Sequence, residues 1–264
     1  MGEPERAGSS DDVAGRRVVV AGASAGIGRA TAVALSASGV DVAALARRPD
    51  VLDEVVVQAA ADGHPGAIVA IACDVRDDVT CRAAVATAAD RLGGIDAVVY
   101  ATGVNHLAPL AETTTDDWRR LFETNVVGAA SVVAGALPAL RVSGGRVALL
   151  SSDSVADPWP GLGAYAATKA ALETVTAAWR AEEPDVTFSR VVVGPTITGM
   201  AEAWDPERSV AMFERWHAEG RFEGVDPQPP EVVAAELVRW VAAARPPEEL
   251  DLQWLARPSE ASGG

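Results

Sequence analysis

Cysteine and histidine are scarce in this sequence of 264 residues, which has two cysteines and three histidines. Cys73 and Cys81 are too few for a disulfide scaffold and lack the paired spacing of a zinc site, so we expect both to be packing residues in a reducing compartment. His64 and His217 are also spaced unlike metal ligands. The sequence therefore predicts neither a required metal nor a disulfide framework.

Basic residues are also few: 22 lysines and arginines stand against 37 aspartates and glutamates, giving a formal net charge of -15. A nucleic-acid surface needs clustered cations, so this composition argues against nucleic-acid binding, and the acidity favours solubility. No uninterrupted apolar run reaches 18 residues, and no basic stretch followed by an apolar core begins the chain. We therefore expect a cytoplasmic protein that does not enter a membrane.

Aromatic residues make up 5% of the sequence, yet 49% of its residues are hydrophobic, which is enough to bury a large core. No change of composition marks a seam between domains. We expect one domain over residues 1–264, with an ordered core at about residues 14–257 and flexible ends.

Apolar segments of strand length alternate with longer segments of helical periodicity. Because the strand-like runs are apolar on both faces, they fit a parallel sheet of about seven strands with helices on either side. This alternation predicts a doubly wound α/β fold. The clearest predicted strands are Arg17–Ala21, Asp41–Ala46, Ala67–Ala72, Ala97–Tyr100, Arg146–Leu150 and Val186–Val193.

Two helix borders are readable in the sequence. Thr115, followed by Asp116 and Asp117, is expected to cap the free amides at a helix start. Pro138 and the Gly144-Gly145 pair are expected to close the next helix and lead into a strand.

Three glycines follow the first predicted strand with the spacing Gly-x-x-x-Gly-x-Gly. Gly22 permits a tight turn, Gly26 lets the backbone approach a pyrophosphate, and Gly28 lets helix and strand pack closely. The phosphates would meet the helix N-terminus. An ordinary glycine-rich turn is the alternative interpretation. The other candidate contacts in the turn are Ser24, Ala25 and Ile27.

A second pattern, Ser-(x)12-Tyr-(x)3-Lys, joins Ser152 to Tyr165 and Lys169. Tyr165 and Lys169 share one face of a predicted helix, while Ser152 follows the carboxyl end of a strand, where ligands bind in such sheets. A free tyrosine has a pKa near ~10, and lowering it by about three units would need roughly 4 kcal/mol from nearby positive charge. Tyr165 would then act as a general acid or base near neutral pH. Alone, Tyr165 also fits a core tyrosine, and Ser151 competes with Ser152.

Together these patterns resemble the short-chain dehydrogenase/reductase family, and the similarity runs from Arg17 to about Leu255. The resemblance implies a Rossmann-type fold, a bound nicotinamide dinucleotide and hydride transfer to or from a carbonyl or alcohol carbon. The family's spacing selects Ser152 over its neighbour. Ser152 would hydrogen-bond the substrate oxygen beside Tyr165. Tyr165 and Lys169 would also contact the cofactor, and Lys169 would hold the nicotinamide ribose.

The resemblance assigns further residues. Asn125 matches a family asparagine that kinks a helix and holds water in a proton relay; a capping or surface residue is the alternative. Asp74, followed by Val75, stands where the family binds adenine. Ala101-Thr102-Gly103 replaces the family's Asn-Ala-Gly, and Val193 replaces a proline in a loop that meets the nicotinamide carboxamide. The matching residues of that loop are Gly194, Ile197 and Thr198.

The end of the second predicted strand bears on the choice of cofactor. Relatives that use NAD carry an aspartate where this sequence has Ala46, and Arg47 offers a charged fork suited to a 2′-phosphate. Ser24 could add a hydroxyl contact. This favours NADP(H) over NAD(H). The alternative is that Arg47 and Arg48 are solvated surface residues, which applies better to Arg48.

Residues 199–225 correspond to the family's variable substrate lid. Its apolar members could line a pocket for a hydrophobic ligand, or they could be the core face of a helix pair. Trp159, shortly before Tyr165, is the better candidate for substrate contact. His106 could also touch substrate, but its position favours a solvated loop histidine. The apolar lid residues are Met200, Trp204, Met212, Phe213, Trp216 and Phe222.

The sequence thus favours an NADP(H)-dependent carbonyl reductase or secondary-alcohol dehydrogenase acting on a ketone, aldehyde or secondary alcohol, polyketide-like or steroid-like. The alternatives are an NAD-dependent alcohol dehydrogenase, an epimerase or dehydratase on the same fold, and a non-catalytic dinucleotide sensor. The resemblance further implies a homodimer or homotetramer with contacts through the last helix, Pro230–Ala244, and the final strand, Leu250–Leu255.

Overall fold

A computed structural model of the chain describes residues 13–221 and 227–253. The strands are β1 (Arg17–Ala21), β2 (Asp41–Ala46), β3 (Ile68–Ala72), β4 (Ala97–Tyr100), β5 (Arg146–Ser152), β6 (Thr187–Val193) and β7 (Glu249–Leu252). The helices are α1 (Gly26–Ala37), α2 (Pro49–Ala61), α3 (Asp78–Leu92), α4 (Thr115–Phe122), α5 (Gly128–Ser143), α6 (Gly163–Glu182), α7 (Pro206–Ala218) and α8 (Pro230–Ala242).

The seven strands form one parallel sheet in the order β3-β2-β1-β4-β5-β6-β7. Side chains alternate across each strand, so Val18 and Val20 pack with α1, α2 and α8, while Val19 packs with α3, α5 and α6. The predicted doubly wound α/β fold is confirmed. The strand order reverses between β1 and β4, which opens a crevice at their carboxyl ends.

The predicted strand bounds differ little from those of the structure. β3 begins at Ile68 rather than Ala67, β6 begins at Thr187 rather than Val186, and β5 continues to Ser152 because it stays paired with β6 to its end. The predicted final strand begins one residue late, and its positions 254 and 255 lie outside the described residues. So do residues 1–12 and 258–264 of the predicted flexible ends, positions 254–257 of the predicted ordered core, and positions 222–225 of the lid with Phe222.

One predicted helix border is wrong, and the other is confirmed at Gly144 but wrong at Pro138. The cap of α4 is Thr114 rather than Thr115: the Thr114 hydroxyl accepts a hydrogen bond from the Asp117 amide, and the Asp117 carboxylate accepts one from the Thr114 amide. Pro138 lies inside α5 instead of ending it. Leu137 before the proline and Leu140 after it are both buried, and their packing stabilises the helix past Pro138. The helix ends at Gly144, which adopts the left-handed conformation at φ 60°.

α4 and α5 are joined by a π-helical turn, Glu123–Val127, into one helical segment. By length and composition this segment, Thr115–Ser143, is apolar enough to cross a membrane. However, Val132, Val133 and Ala136 are fully buried in the cluster formed with α3 and the sheet. The packing of a core helix therefore accounts for the apolar composition.

Candidate active site

A cavity of about 720 Å³ lies at the carboxyl ends of the strands. It brings together residues that are far apart in the sequence, from the loops after β1, β2, β3, β4, β5 and β6 and from the start of α6. Among its lining residues are these predicted site residues: Gly22, Ser24, Ala25, Gly26, Ile27, Arg47, Arg48, Asp74, Val75, Ala101, Thr102, Gly103, Ser152, Trp159, Tyr165, Lys169, Gly194, Ile197 and Thr198. Two predicted site residues, Gly28 and Asn125, do not line it.

The glycine turn between β1 and α1 forms one end of the cavity. Gly22 and Gly26 have φ of 91° and 51°, which other residues rarely adopt. Gly28 is buried, and a Cβ there would lie 2.3 Å from the carbonyl oxygen of Gly22, so its role is in packing. α1 begins after Ala25 with no side-chain cap and no acidic residue in its first turn. Its free amides therefore fit the pyrophosphate of a dinucleotide.

Arginines lie beside the glycine turn. Arg47 and Arg48 are exposed at the end of β2 and both line the cavity. The sequence favours Arg47 over Arg48 as a phosphate ligand, but it is Arg48 whose Nη2 donates a hydrogen bond to Ser24 Oγ at 3.2 Å. Arg48 is thus linked to the turn and is not merely a solvated residue.

Arg76 was missed by the sequence reasoning. It lines the cavity after β3 and forms an ion pair with Asp74, with Nη2 to Oδ2 at 2.6 Å. Hydrogen bonds from the Arg76 side chain lower the pKa of Asp74. The carboxylate of Asp74 is therefore held by Arg76. The sequence signal that could identify Arg76 is its position two residues after Asp74, the predicted adenine contact.

Ser152, Tyr165 and Lys169 meet at the other end of the cavity. Ser152 is the last residue of β5, and Tyr165 and Lys169 lie one turn apart near the start of α6. Lys169 is buried, its Nζ donates a hydrogen bond to the Leu150 carbonyl oxygen at 2.6 Å, and the same nitrogen lies 5.7 Å from the centroid of the Tyr165 ring. Lys169 is also the only lysine in the sequence, a signal that the motif reasoning did not use.

Burial is the largest influence on the pKa values of Tyr165 and Lys169. Desolvation raises the pKa of Tyr165 to about 12; a hydrogen bond with Ser152 lowers it and the charge of Asp153 raises it further. Desolvation also lowers the pKa of Lys169 to about 8. The expected lowering of the Tyr165 pKa depends on the charge of an oxidised nicotinamide as well as on Lys169. In the protein alone the pKa is raised, because burial disfavours the phenolate more than the protein's own charges favour it.

Asn125 is fully buried in the π-helical turn. Its Oδ1 accepts a hydrogen bond from the amide of Val104 at 2.8 Å, and its Nδ2 donates to the Val104 carbonyl oxygen at 2.8 Å and to Thr168 Oγ1 at 2.9 Å. Asn125 therefore holds the loop after β4 against α6, next to Lys169.

The loop after β6 is fixed by a residue that the sequence reasoning did not find. The amide of Ile197 donates to the carbonyl oxygen of Gln228 at 3.0 Å, and the amide of Gln228 donates to the Pro195 carbonyl oxygen at 2.9 Å. Across the cavity, a Cβ on Gly26 would lie 3.0 Å from the Cβ of Thr198. The loop therefore closes over the glycine turn.

Four aromatic side chains line the cavity and form what we call the aromatic wall: Trp159, Trp204, Phe213 and Trp216. Trp216 is edge-on to the other three rings, with centroids at 5.2, 6.1 and 5.3 Å. Trp204 Nε1 donates to Asn105 Oδ1 at 2.9 Å and so links the lid to the loop after β4.

The sequence left two interpretations of the lid residues, a pocket lining and a packed core face. The structure agrees with both, because these rings pack together and also line the cavity. Met200 lines it as well, whereas Met212 does not line it and instead faces Gly161. His106 is not among the lining residues and its Nε2 lies 3.5 Å from Asp117.

In residues 13–221 and 227–253 no group of three or more histidines, cysteines or acids is arranged to hold a metal. Cys73 and Cys81 are both buried and free.

Comparison with known proteins agrees with this geometry. The family model for short chain dehydrogenases matches residues 16–209. Over 171 residues the chain is 36% identical to glycine betaine reductase ATRR of Emericella nidulans, a match that covers 64% of this chain and 13% of that protein. Over 187 residues it is 34% identical to 11-beta-hydroxysteroid dehydrogenase A of Sesamum indicum, covering 70% of this chain and 53% of the relative.

A short-chain dehydrogenase from Streptomyces avermitilis has a similar structure, with a TM-score of 0.75 and 30% identity over 90% of this chain and 88% of that one. The chain spans only 13% and 53% of the lengths of the two curated relatives, so the similarity concerns the dehydrogenase unit. From its sheet, its glycine turn and these matches, the chain is a member of the short-chain dehydrogenase/reductase family of oxidoreductases.

Proposed function

We propose that this chain is an NADP(H)-dependent carbonyl reductase or secondary-alcohol dehydrogenase with Tyr165 as its general acid and base. The observation that carries the proposal is that Ser152, Tyr165 and Lys169 line the same cavity as the glycine turn. A bound nicotinamide dinucleotide supplies or accepts the hydride. The chain's own residues orient the substrate oxygen and move the proton.

The preference for NADP(H) is supported by charge at the end of β2. Ala46 offers no carboxylate to a ribose 2′-hydroxyl, and two exposed arginines, Arg47 and Arg48, line the cavity there. Arg76 is paired with Asp74, which leaves Arg47 and Arg48 as the cations for a 2′-phosphate. The hydroxyl of Ser24, already bonded to Arg48, would add a neutral contact.

The proton chemistry follows from burial and charge. In reduction, the O–H bond of Tyr165 breaks and its proton forms the new alcohol O–H while the carbonyl carbon gains hydride. A pKa of about 12 keeps Tyr165 protonated and ready to donate. In oxidation Tyr165 must first lose that proton, and the Lys169 ammonium together with an oxidised nicotinamide would lower its pKa. Ser152 would hydrogen-bond the substrate oxygen.

The substrate we propose is a ketone or alcohol with a flat apolar body. The aromatic wall lines the same cavity as Tyr165 and offers ring edges and faces, and such surfaces bind apolar rings well. One relative is named as a hydroxysteroid dehydrogenase, which agrees with a polycyclic substrate.

A homodimer or homotetramer and a cytoplasmic location remain part of the proposal, to be tested by light scattering and by fractionation.

The test is a paired titration of the purified protein with NADPH and NADH, followed by a reduction screen. NADPH should bind more tightly and should support reduction of steroid and aryl ketones over straight-chain aldehydes and betaine aldehyde. Arg47→Ala should reduce the preference by about tenfold, while Arg119→Ala, at an exposed arginine outside the cavity, should leave it unchanged. Tighter binding of NADH, or no consumption of either cofactor with any carbonyl, would overturn the proposal.

A further inference from the structure

Arg76 holds the carboxylate of Asp74 through several hydrogen bonds in the loop after β3. Asp74 Oδ1 accepts from the Arg76 amide at 3.1 Å and from its Nε at 2.9 Å, and Oδ2 accepts from Nε at 3.2 Å and from Nη2 at 2.6 Å. A carboxylate has about four acceptor sites, so these contacts fill them. The pair also fixes the plane of the guanidinium, because two of its nitrogens are bonded side by side.

The loop after β3 lies beside the loop after β2, which in turn lies beside the glycine turn. The Cys73 amide donates to the Ala46 carbonyl oxygen at 2.8 Å, and the Gly22 amide donates to the Leu45 carbonyl oxygen at 2.8 Å. The order along the carboxyl edge of the sheet is therefore the glycine turn, the two arginines after β2, and the ion pair after β3. All three groups line the main cavity.

The covalent structure of a dinucleotide decides which of its parts meets each loop. In the proposed function the pyrophosphate binds at the glycine turn and the 2′-phosphate at Arg47 and Arg48, so the adenosine ribose lies at the end of β2. The adenine is attached to C1′ of that ribose, next to the carbon that carries the 2′-phosphate. The base therefore continues along the sheet edge and reaches the loop after β3.

Arg76 offers a flat surface for a base at this loop. The Val75 side chain is buried, and its Cγ2 would lie 2.7 Å from a Cβ on Gly128, so it packs against α5. Among the described residues that line the cavity after β1, β2 and β3, none is aromatic. The side chain of Arg76 is 39% exposed, and a guanidinium plane stacks well on aromatic faces.

We propose that Arg76 binds the adenine ring of the dinucleotide by stacking, and that Asp74 positions the guanidinium for this contact. Asp74 thus acts through Arg76 instead of accepting a hydrogen bond from the adenine amine. Because NADPH and NADH carry the same base, Arg76 stabilises both to the same degree. Arg47 and Arg48, in contrast, act on the 2′-phosphate and distinguish the two. The proposal rests on the dinucleotide site of the proposed function.

The first test measures binding alone, by fluorescence titration with NADPH and with NADH at constant salt. Arg76→Ala should weaken both by the same factor, about fivefold. Arg76→Lys keeps the positive charge but has no planar face, so it should lose about as much as Arg76→Ala. Arg82→Ala is the matched control, because Arg82 is exposed, is paired with Asp78 and does not line the cavity; it should leave both affinities unchanged.

Three results of this titration would overturn the proposal. The first is a folded Arg76→Ala that binds both cofactors as the parent protein does. The second is a loss confined to NADPH, which would place Arg76 at the 2′-phosphate. The third is full affinity in Arg76→Lys, which would show that charge alone matters. If Arg76→Ala does not fold, as judged by circular dichroism, Arg76→Lys is held to the same expectation.

The second test asks which feature of the base is recognised. The probe is the hypoxanthine analogue of NADPH, in which a carbonyl oxygen replaces the adenine amine. The parent protein should bind it within about threefold of NADPH, because stacking needs no amine. Asp74→Asn should weaken NADPH binding, and adding Arg76→Ala should cause no further loss. An analogue that binds about tenfold more weakly than NADPH, or additive losses in the double variant, would show that Asp74 contacts the base itself.

This proposal and the proposed function fail on different measurements. Tighter binding of NADH than of NADPH, or no turnover of any carbonyl, would defeat the proposed function. The titrations with both cofactors would still decide the role of Arg76, because they need neither a 2′-phosphate nor a substrate.

Discussion

Lys169 and Tyr165 lie one turn apart on α6, with Nζ of the lysine 5.7 Å from the centroid of the tyrosine ring. The ammonium is anchored by the carbonyl oxygen of Leu150, the residue two before Ser152 in β5. One strand and one helix thus fix all three groups of the Ser-Tyr-Lys pattern.

Tyr165→Phe should lower kcat by at least about hundredfold, since it removes the proton donor and leaves the ring in place. Because no charged group is lost, the affinity for NADPH and the midpoint of thermal unfolding should change little. Steady-state kinetics, cofactor titration and thermal unfolding measure the three quantities. Activity close to that of the parent would show that another group moves the proton.

The ammonium of Lys169 should titrate near pH 8, because burial lowers its pKa from the ordinary 10.5. Carbon-13 at the ε position of lysine gives one signal to follow, since the chain has one lysine. Between about pH 8 and pH 10.5 this lysine is mostly neutral in the folded protein and mostly protonated in the unfolded chain, so the unfolded chain binds more protons. The free energy of unfolding should therefore rise with pH from about 8 towards 10.5, by at most about 3 kcal/mol.

Lys169→Met is the control for that rise. Its free energy of unfolding, measured by denaturant titration at several pH values, should lack this rise, so the difference between parent and variant isolates the contribution of Lys169. Equal pH dependence in both proteins would contradict a lowered pKa.

Arg47→Ala and Arg48→Ala should each weaken NADPH binding by about tenfold and affect NADH much less, since each removes a charge from a 2′-phosphate. Arg48→Ala also removes the contact with Ser24, so Ser24→Ala should reproduce a smaller part of its effect. Fluorescence titration at constant salt measures all of them. Equal losses for both cofactors would show that the arginines hold some other part of the dinucleotide.

Asn125→Ala should destabilise the protein by about 2–3 kcal/mol, because it leaves the amide and the carbonyl of Val104 without their partner. Glu123→Ala, at an exposed position in the same π-helical turn, serves as the control. Denaturant unfolding measures both variants. A loss of activity in Asn125→Ala without a loss of stability would instead point to the predicted proton relay.

The sheet was predictable from the sequence because its strands are apolar on both faces and are followed by segments of helical period. The site residues were predictable where glycines or a fixed spacing mark them. Thr114 was mistaken for its neighbour because both are threonines followed by acids, and only the reciprocal bonds with Asp117 distinguish them. Pro138 was misjudged because burial of its neighbours outweighs the hydrogen bond that a proline removes.

Other features depend on contacts that no local pattern reveals. Gln228 reaches the loop after β6 from more than thirty residues away in sequence, as its side-chain contact with Thr196 also shows. The raised pKa of Tyr165 is a property of the folded site, because desolvation exists only once the surrounding elements are packed. The aromatic wall likewise forms only when α7 packs over the loop that carries Trp159.

A single lysine with a lowered pKa makes this protein unusually selective towards amine-directed reagents. Apart from the N-terminus, Lys169 offers the one alkyl amine of the chain, and much of it is in the nucleophilic free-base form above about pH 8. An acylating probe small enough to enter the cavity would therefore label one side chain, at the centre of the site. The rate of that labelling, with and without a bound ligand, would report occupancy of the cavity for any ligand, whether or not it is turned over.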